Sequence, residues 1–355
     1  MQKRHKPRLL RSVIGTTVIV TMGLSGCSFI TGQQSPARSG SASDGCSTVA
    51  LRIATIRAET DPTTLGAQAF ADSISKATDG KVTAQVFPNS QLGSANDVFA
   101  DMSAGQNVDV FYEGISLYPT LDGAKAFTVM SVPFLWDSYD QMVAVLKTPE
   151  YQKLIDEAAK ATGVRVVATA GDAEPRALSA NRPIKTAADM KGLKLRIADA
   201  PMPQAFANAL GARPQVVAFS ELYLALRQGI VEGQENGAIT MVNQSLTEVQ
   251  KYYMPTNYIR DVRSWYFSDK TWDSLCTSQQ DAIRDEAEKA GEIVTTENAK
   301  QIDEAMTTLK KSITVVDVDV ESFRTALKGV FEQFDGKLWP EGLLEQTRQL
   351  ADTNR

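Results

Sequence analysis

Two alternating periods limit this chain more than any other feature. Val49, Leu51 and Ile53 alternate with less apolar residues, which is the period of a strand with one face buried. Thr60-Asp61-Pro62 then reads as a helix start, and Leu65, Ala69, Phe70, Ile74 and Ala77 recur at helical spacing up to Gly80. The alternation continues with a strand at 82–86, a helix near 94–104, a strand near 108–112, a helix near 139–159 and a strand at 164–168. A second series opens near Arg176. It has a strand at 193–197, a helix at 201–210 stopped by Gly211, and a helix capped by Ser220 that ends at Gly229. A strand at 261–268 and a long helical run from Thr277 toward Leu309 follow, the run being long enough to break or to span two domains. Strands alternating with helices predict an α/β protein of parallel sheets with helices on their faces. A length of 355 residues suits two domains of ordinary size.

The N-terminus is a separate object. Lys3, Arg4, Lys6, Arg8 and Arg11 form a basic head, followed by an apolar run from Ser12 to Leu24. That run is short for a membrane span and has the layout of a secretory signal. It ends in Leu24-Ser25-Gly26-Cys27, which resembles the bacterial lipoprotein signal, in which the cysteine becomes the lipid-bearing first residue. The alternative is an ordinary cleaved signal with a chance cysteine. Residues 1–26 are therefore read as a signal peptide with lipidation at Cys27, and 27–46 as a Ser/Gly-rich tether. The expected location is extracytoplasmic, anchored to the membrane by lipid. Losing residues 1–26 removes five basic groups and no acid, which takes the net charge from −5 to about −10. So acidic a body argues against a nucleic-acid partner, and any anion site in it must be built from locally placed arginines.

The absences are equally informative. The only histidine, His5, falls within the signal, so the mature chain lacks the commonest general base and metal ligand. There is no GxGxxG after a strand and no phosphate loop, HExxH, CxxC or GxSxG. No carboxylate pair stands out at a telling spacing. The expectation is a protein with no cofactor, no metal and no catalytic residue.

The segments NRPIKT..DMKGLKLR, ALGARP, SELYLALRQGIVEGQEN and EVQKYY, with FPNSQLGS and VPFLW before them, closely resemble the TRAP transporter solute-binding family, the DctP-type extracytoplasmic receptors. The likeness covers nearly the whole mature chain. It implies a periplasmic-binding-protein-like fold of two α/β domains with a hinged cleft, braced by a long helix. Domain I is then 47–173 with 262–301, and domain II is 174–261 with 302–355. It also implies delivery of a small organic acid to TRAP membrane permease subunits. The same fold could instead present its ligand to a sensor receptor, and a secreted enzyme is the reading from another class.

Carried onto this chain, the resemblance puts the ligand carboxylate on Arg196, whose planar guanidinium can make two parallel hydrogen bonds. By strand alternation Arg196 faces the same side as Lys194, opposite Leu195 and Ile197. Arg176 falls at the family's second arginine, Asn236 at an amide contact and Phe219 where an aromatic often covers the ligand. Gly237 stands where the family usually has proline. Glu59 and Asp199 match variable contact positions. If both face the ligand they repel a second carboxylate and accept from hydroxyls, which favours a sugar acid over a C4-dicarboxylate. The remaining cysteines, Cys46 and Cys276, both fall in domain I of the family arrangement, where a disulfide between them is expected.

Overall fold

The computed structural model describes residues 46–354. The signal and the proposed lipid site at Cys27 lie outside the described residues. The first half holds β1 (Val49–Ala54), α1 (Pro62–Ala77), β2 (Val82–Phe87), α2 (Ala95–Ser103) and β3 (Val110–Gly114). After 3-10 turns come α3 (Tyr139–Leu146), α4 (Pro149–Thr162) and β4 (Val164–Asp172). The second half begins with β5 (Arg176–Ala180), β6 (Lys194–Ile197), α5 (Pro201–Ala209), β7 (Arg213–Val216) and α6 (Leu222–Arg227). It continues with β8 (Gly233–Glu235), α7 (Ala238–Asn243), β9 (Tyr252–Ile259), β10 (Val262–Ser268), α8 (Asp269–Asp273) and α9 (Thr277–Ser312). It closes with β11 (Thr314–Val315), α10 (Val320–Leu327) and α11 (Leu343–Thr353).

Local chemistry sets most of these boundaries. The Asp61 side chain caps α1 by accepting from the Thr63 amide, with Pro62 in the first turn. The run expected as one helix from Tyr139 to Ala159 is two helices. Pro149 lacks an amide proton and disfavours helical backbone in Thr148, so α3 ends and α4 starts with proline in its first turn. The helix expected to be capped by Ser220 begins at Leu222 after a 3-10 turn, and no side chain caps it.

The strands form two sheets, in the orders β2-β1-β3-β10-β4 and β11-β9-β5-β8-β6-β7. Both are mixed, where parallel sheets were expected. β10 runs antiparallel to β3 and β4, and β5 antiparallel to β8 and β9. The cause is the path of the chain. It leaves the first sheet at the end of β4, builds the second, and returns through Arg260 and Asp261 directly into β10. A strand that re-enters where its neighbours finish must run against them. Side-chain periodicity records which face a strand buries and carries no mark of direction.

Helix α9 stays unbroken over 36 residues and serves both sheets. Ile283, Ala287, Ala290 and Val294 pack in the first sheet's core with Phe70 and Trp265. Ala305 and Leu309 pack in the second sheet's core with Leu226 and Tyr253. Gly291 lets the helix lie against β4, because a Cβ there would overlap the Ala170 backbone and side chain. Cys46 and Cys276 are joined by a disulfide, Cα–Cα 5.6 Å, which ties the segment before β1 to the start of α9. The C-terminal tail does not side wholly with the second sheet. α11 packs on the first sheet's helices, where Gln141 Nε2 donates to the Ala351 carbonyl at 2.8 Å and Tyr151 pairs with Thr347 at 2.6 Å.

Candidate functional site

Strands β1, β6 and β7 all end at one cavity of about 250 Å³. Ile56, Ala95, Asn96, Leu117 and Thr120 line it from the first sheet's side, and Arg196, Asp199, Val217 and Phe219 from the second's. Carboxyl ends of strands are where open α/β sheets bind ligands, since backbone and loop side chains converge there.

Arg196 lies in β6, paired with Gln215 of β7 on one side and Gln234 of β8 on the other. Lys194 is exposed, whereas Arg196, on the same face two residues further, is only 2% exposed. Its Nε donates to the Val217 carbonyl at 2.9 Å. Among the described residues it forms no ion pair. Burial pushes its pKa down to about 10; Glu235 works against the shift, and the charges of Arg176 and Arg57 add to it. The side chain therefore stays charged at neutral pH while lacking a counter-ion. The Phe219 ring lies 5.9 Å from its guanidinium carbon and 5.0 Å from that of Arg57. At the rim, Asp199 is exposed and accepts from Asn96 Nδ2 at 2.8 Å.

Behind Phe219 the charges are paired. The fully buried Glu113 of β3 accepts from Arg57 Nε at 2.7 and 3.0 Å and from Arg263 Nη1 of β10. Burial alone would raise the Glu113 pKa, but the two guanidinium groups outweigh it and hold the carboxyl below its ordinary range. Arg176 of β5 is bound by Glu235 of β8, which also accepts from Tyr258 at 2.7 Å. Asn236 donates to Gln234 at 2.6 Å and accepts from Arg176 at 3.4 Å. Glu174, between β4 and β5, accepts from the amides of Ile239 at 2.6 Å and Thr240 at 3.0 Å and from the Thr240 hydroxyl. Burial raises its pKa, against the Thr240 hydrogen bonds and the Arg57 charge. Gly237 is what admits this carboxylate, for a Cβ at 237 would overlap it. That accounts physically for glycine at the position where proline is usual.

The expected site residues thus separate. Arg196, Phe219 and Asp199 line the cavity. Arg176 and Asn236 border a void of only about 10 Å³ among paired charges. Glu59 is exposed beyond β1 and lines neither space, so its expected role as a hydroxyl acceptor is not supported by its position. Arg57, Glu113 and Arg263 were not singled out from the sequence. The available signal was Glu113, a carboxylate within an apolar strand, where ionised groups are rare unless paired. Among the described residues no His/Cys/Asp/Glu group could hold a metal ion, and no helix is long and apolar enough to cross a membrane.

The profile of the DctP family, the bacterial extracellular solute-binding proteins of family 7, matches residues 53–337. The chain belongs to this family. A solute-binding protein of Roseobacter denitrificans is 30% identical over 78% of this chain and 84% of its own. Its crystal structure with bound L-galactonate superposes with a TM-score of 0.78 at 27% identity, over 87% of this chain and 99% of that one. The C4-dicarboxylate-binding periplasmic protein of Rhodobacter capsulatus is 30% identical over 72% and 76% of the two chains. A TRAP periplasmic solute-binding protein from Bordetella, with density assigned to pantoate, has a TM-score of 0.78 at 26% identity over 85% and 99%. Family-7 proteins are extracytoplasmic receptors with a two-domain α/β fold, not enzymes. The two sheets and the bracing helix α9 are the framework of that fold here.

Proposed function

We propose that this chain is the lipid-anchored receptor of a TRAP-type transporter, capturing a small organic monocarboxylate in the Arg196 cavity and delivering it to the membrane permease. One observation carries the ligand class: Arg196 is a buried, charged guanidinium at a cavity wall that forms no ion pair among the described residues. A bound carboxylate supplies the missing counter-ion through two aligned hydrogen bonds. Among the described residues Arg196 is the one cation lining the cavity; Arg57 and Arg263 share the Glu113 carboxylate and Arg176 is paired with Glu235. That supports a hydroxylated monoacid of the sugar-acid kind over a C4-dicarboxylate. Galactonate and pantoate, found with two of the relatives, are both hydroxylated monocarboxylates. The Rhodobacter relative's C4-dicarboxylate is the competing choice.

Closure brings 47–173 with 262–301 toward 174–261 with 302–355, with α11 packed on the first sheet's helices. A thermal-shift screen of the delipidated protein tests the ligand class, because a ligand of the folded state raises the melting temperature by mass action. Monocarboxylates should shift wild type and leave Arg196→Ala unmoved. Shifts produced only by amines or neutral sugars would defeat the proposal. Anchoring is tested separately. Cys27→Ala should release the protein into the medium, since acyl chains hold by about 0.8 kcal/mol per buried CH₂.

A further inference from the structure

The carboxylate reading leaves the rest of the ligand open, and the cavity walls speak to it. Around Arg196 the lining is mainly aliphatic: Ile56, Ala95, Leu117, Val216 and Val217, with Phe219 covering one side. These side chains offer no hydrogen bond. The polar residues between them are few and partly engaged. The Ser94 hydroxyl donates to Asp97 at 2.7 Å and accepts from its amide at 3.3 Å. The Asn96 amide group is used on Asp199 at 2.8 Å. Thr120 Oγ1 is buried and has no hydrogen-bond partner among the described residues. With Ser90 and the second Asp199 oxygen it makes a short list of partners for ligand hydroxyls.

A six-carbon aldonate carries five hydroxyls. Drawn into this cavity it would leave several against aliphatic walls, and each buried hydroxyl without a partner costs more than the contact returns. A branched or deoxygenated alkyl group buries against those same walls favourably. We infer that the ligand is a short hydroxy-monocarboxylate with an apolar end, a methyl-branched or deoxy acid, with its carboxylate on Arg196, one hydroxyl toward Thr120 and its alkyl end against Leu117, Ile56 and Val217. This rests on the assignment of Arg196 as the carboxylate clamp.

The test is calorimetry of the delipidated protein with three probes: 2-hydroxy-3-methylbutanoate, L-galactonate and succinate. The branched acid should bind wild type at least about tenfold more tightly than galactonate, the scale on which an apolar pocket separates such ligands. Leu117→Asn should shrink that ratio to about threefold or less, and Arg196→Ala should abolish binding of both. Galactonate binding equally or more tightly, or neither hydroxy acid binding, overturns the inference about the apolar end. Succinate as the sole binder, or acid binding by Arg196→Ala within about threefold of wild type, overturns the clamp itself. The wild-type panel decides the matter even if Leu117→Asn fails to fold.

Discussion

Arg57 and Arg196 face the same Phe219 ring and are both buried, yet their electrostatic surroundings are opposite. Arg57 shares Glu113 with Arg263. Burial works against its charge, but the Glu113 carboxylate outweighs this and holds its pKa above the ordinary range. Arg196 donates to one carbonyl and forms no ion pair among the described residues, and burial lowers its pKa. Desolvating an ion costs several kcal/mol unless a partner compensates. In the first case the protein supplies the partner, so the group is framework. In the second the partner is missing, and the structure holds a cation poised for an anion from outside. Two side chains of one chemical type thereby acquire different roles, and only their neighbours distinguish them.

The comparison breaks most sharply at Glu113. Glu113→Gln leaves two buried guanidinium groups without their shared carboxylate, and stability should fall by about 3–5 kcal/mol in urea denaturation at pH 7. A loss below about 1 kcal/mol would remove the distinction between framework and site. Arg196→Ala should behave the other way. Binding of the cognate acid weakens by about 2–5 kcal/mol, while stability holds or rises because an unpaired buried charge is gone. Arg196→Lys should recover only part of the affinity, having the charge without the fork. Binding within about threefold of wild type would show that Arg196 is not the clamp.

Smaller effects sharpen the same contrast. Gly237→Ala puts a methyl group into the Glu174 carboxylate and should cost about 1–3 kcal/mol. Glu174→Gly should cost less in the Gly237→Ala background than in wild type, and simple additivity would count against the clash. Asp172, at the end of β4, tests an acid that lacks a full set of partners: its Oδ1 accepts no hydrogen bond among the described residues, and burial lifts its pKa to about 6. The sign follows from linkage. An acid whose folded pKa is raised favours the fold below its ordinary value of 3.8, and that advantage is lost as pH rises through about 6. Asp172→Asn should therefore stabilise by about 1 kcal/mol at pH 7, after discounting for partial exposure, and by less at pH 4. An equal effect at both pH values would place the cause outside titration.

Much of the architecture could be read from the residues because it is locally encoded. Strand β1, helices α1 and α2, strand β6 and the long α9 follow from apolar period, caps and breakers within a few residues. The Tyr139 run divides at Pro149, which is also a local signal. Strand direction is different in kind. β10 is antiparallel because of where the chain crosses back, and nothing inside Val262–Ser268 records that. Among site residues, Arg196 and Phe219 came from resemblance, and alternation placed Arg196 off the apolar face. How deeply it is buried came only from the fold, which sets the Val217 carbonyl and the Phe219 ring against it. Glu59 was expected from a variable contact position of the family and is exposed, since proximity along the chain says little about which way a loop side chain points.

The sequence alone determined the class of fold, the acidic body, the absence of histidine chemistry and the presence of several arginines. Tertiary structure decided which buried arginine forms no ion pair among the described residues. The Arg57–Glu113 pair joins residues 56 apart and the Arg263–Glu113 pair residues 150 apart, brought together by β3 and β10 lying side by side. Charge and hydrogen-bonding capacity are properties of a residue and are written in the chain. Neutralisation belongs to a pair of atoms within about 4 Å, and that distance exists only after folding.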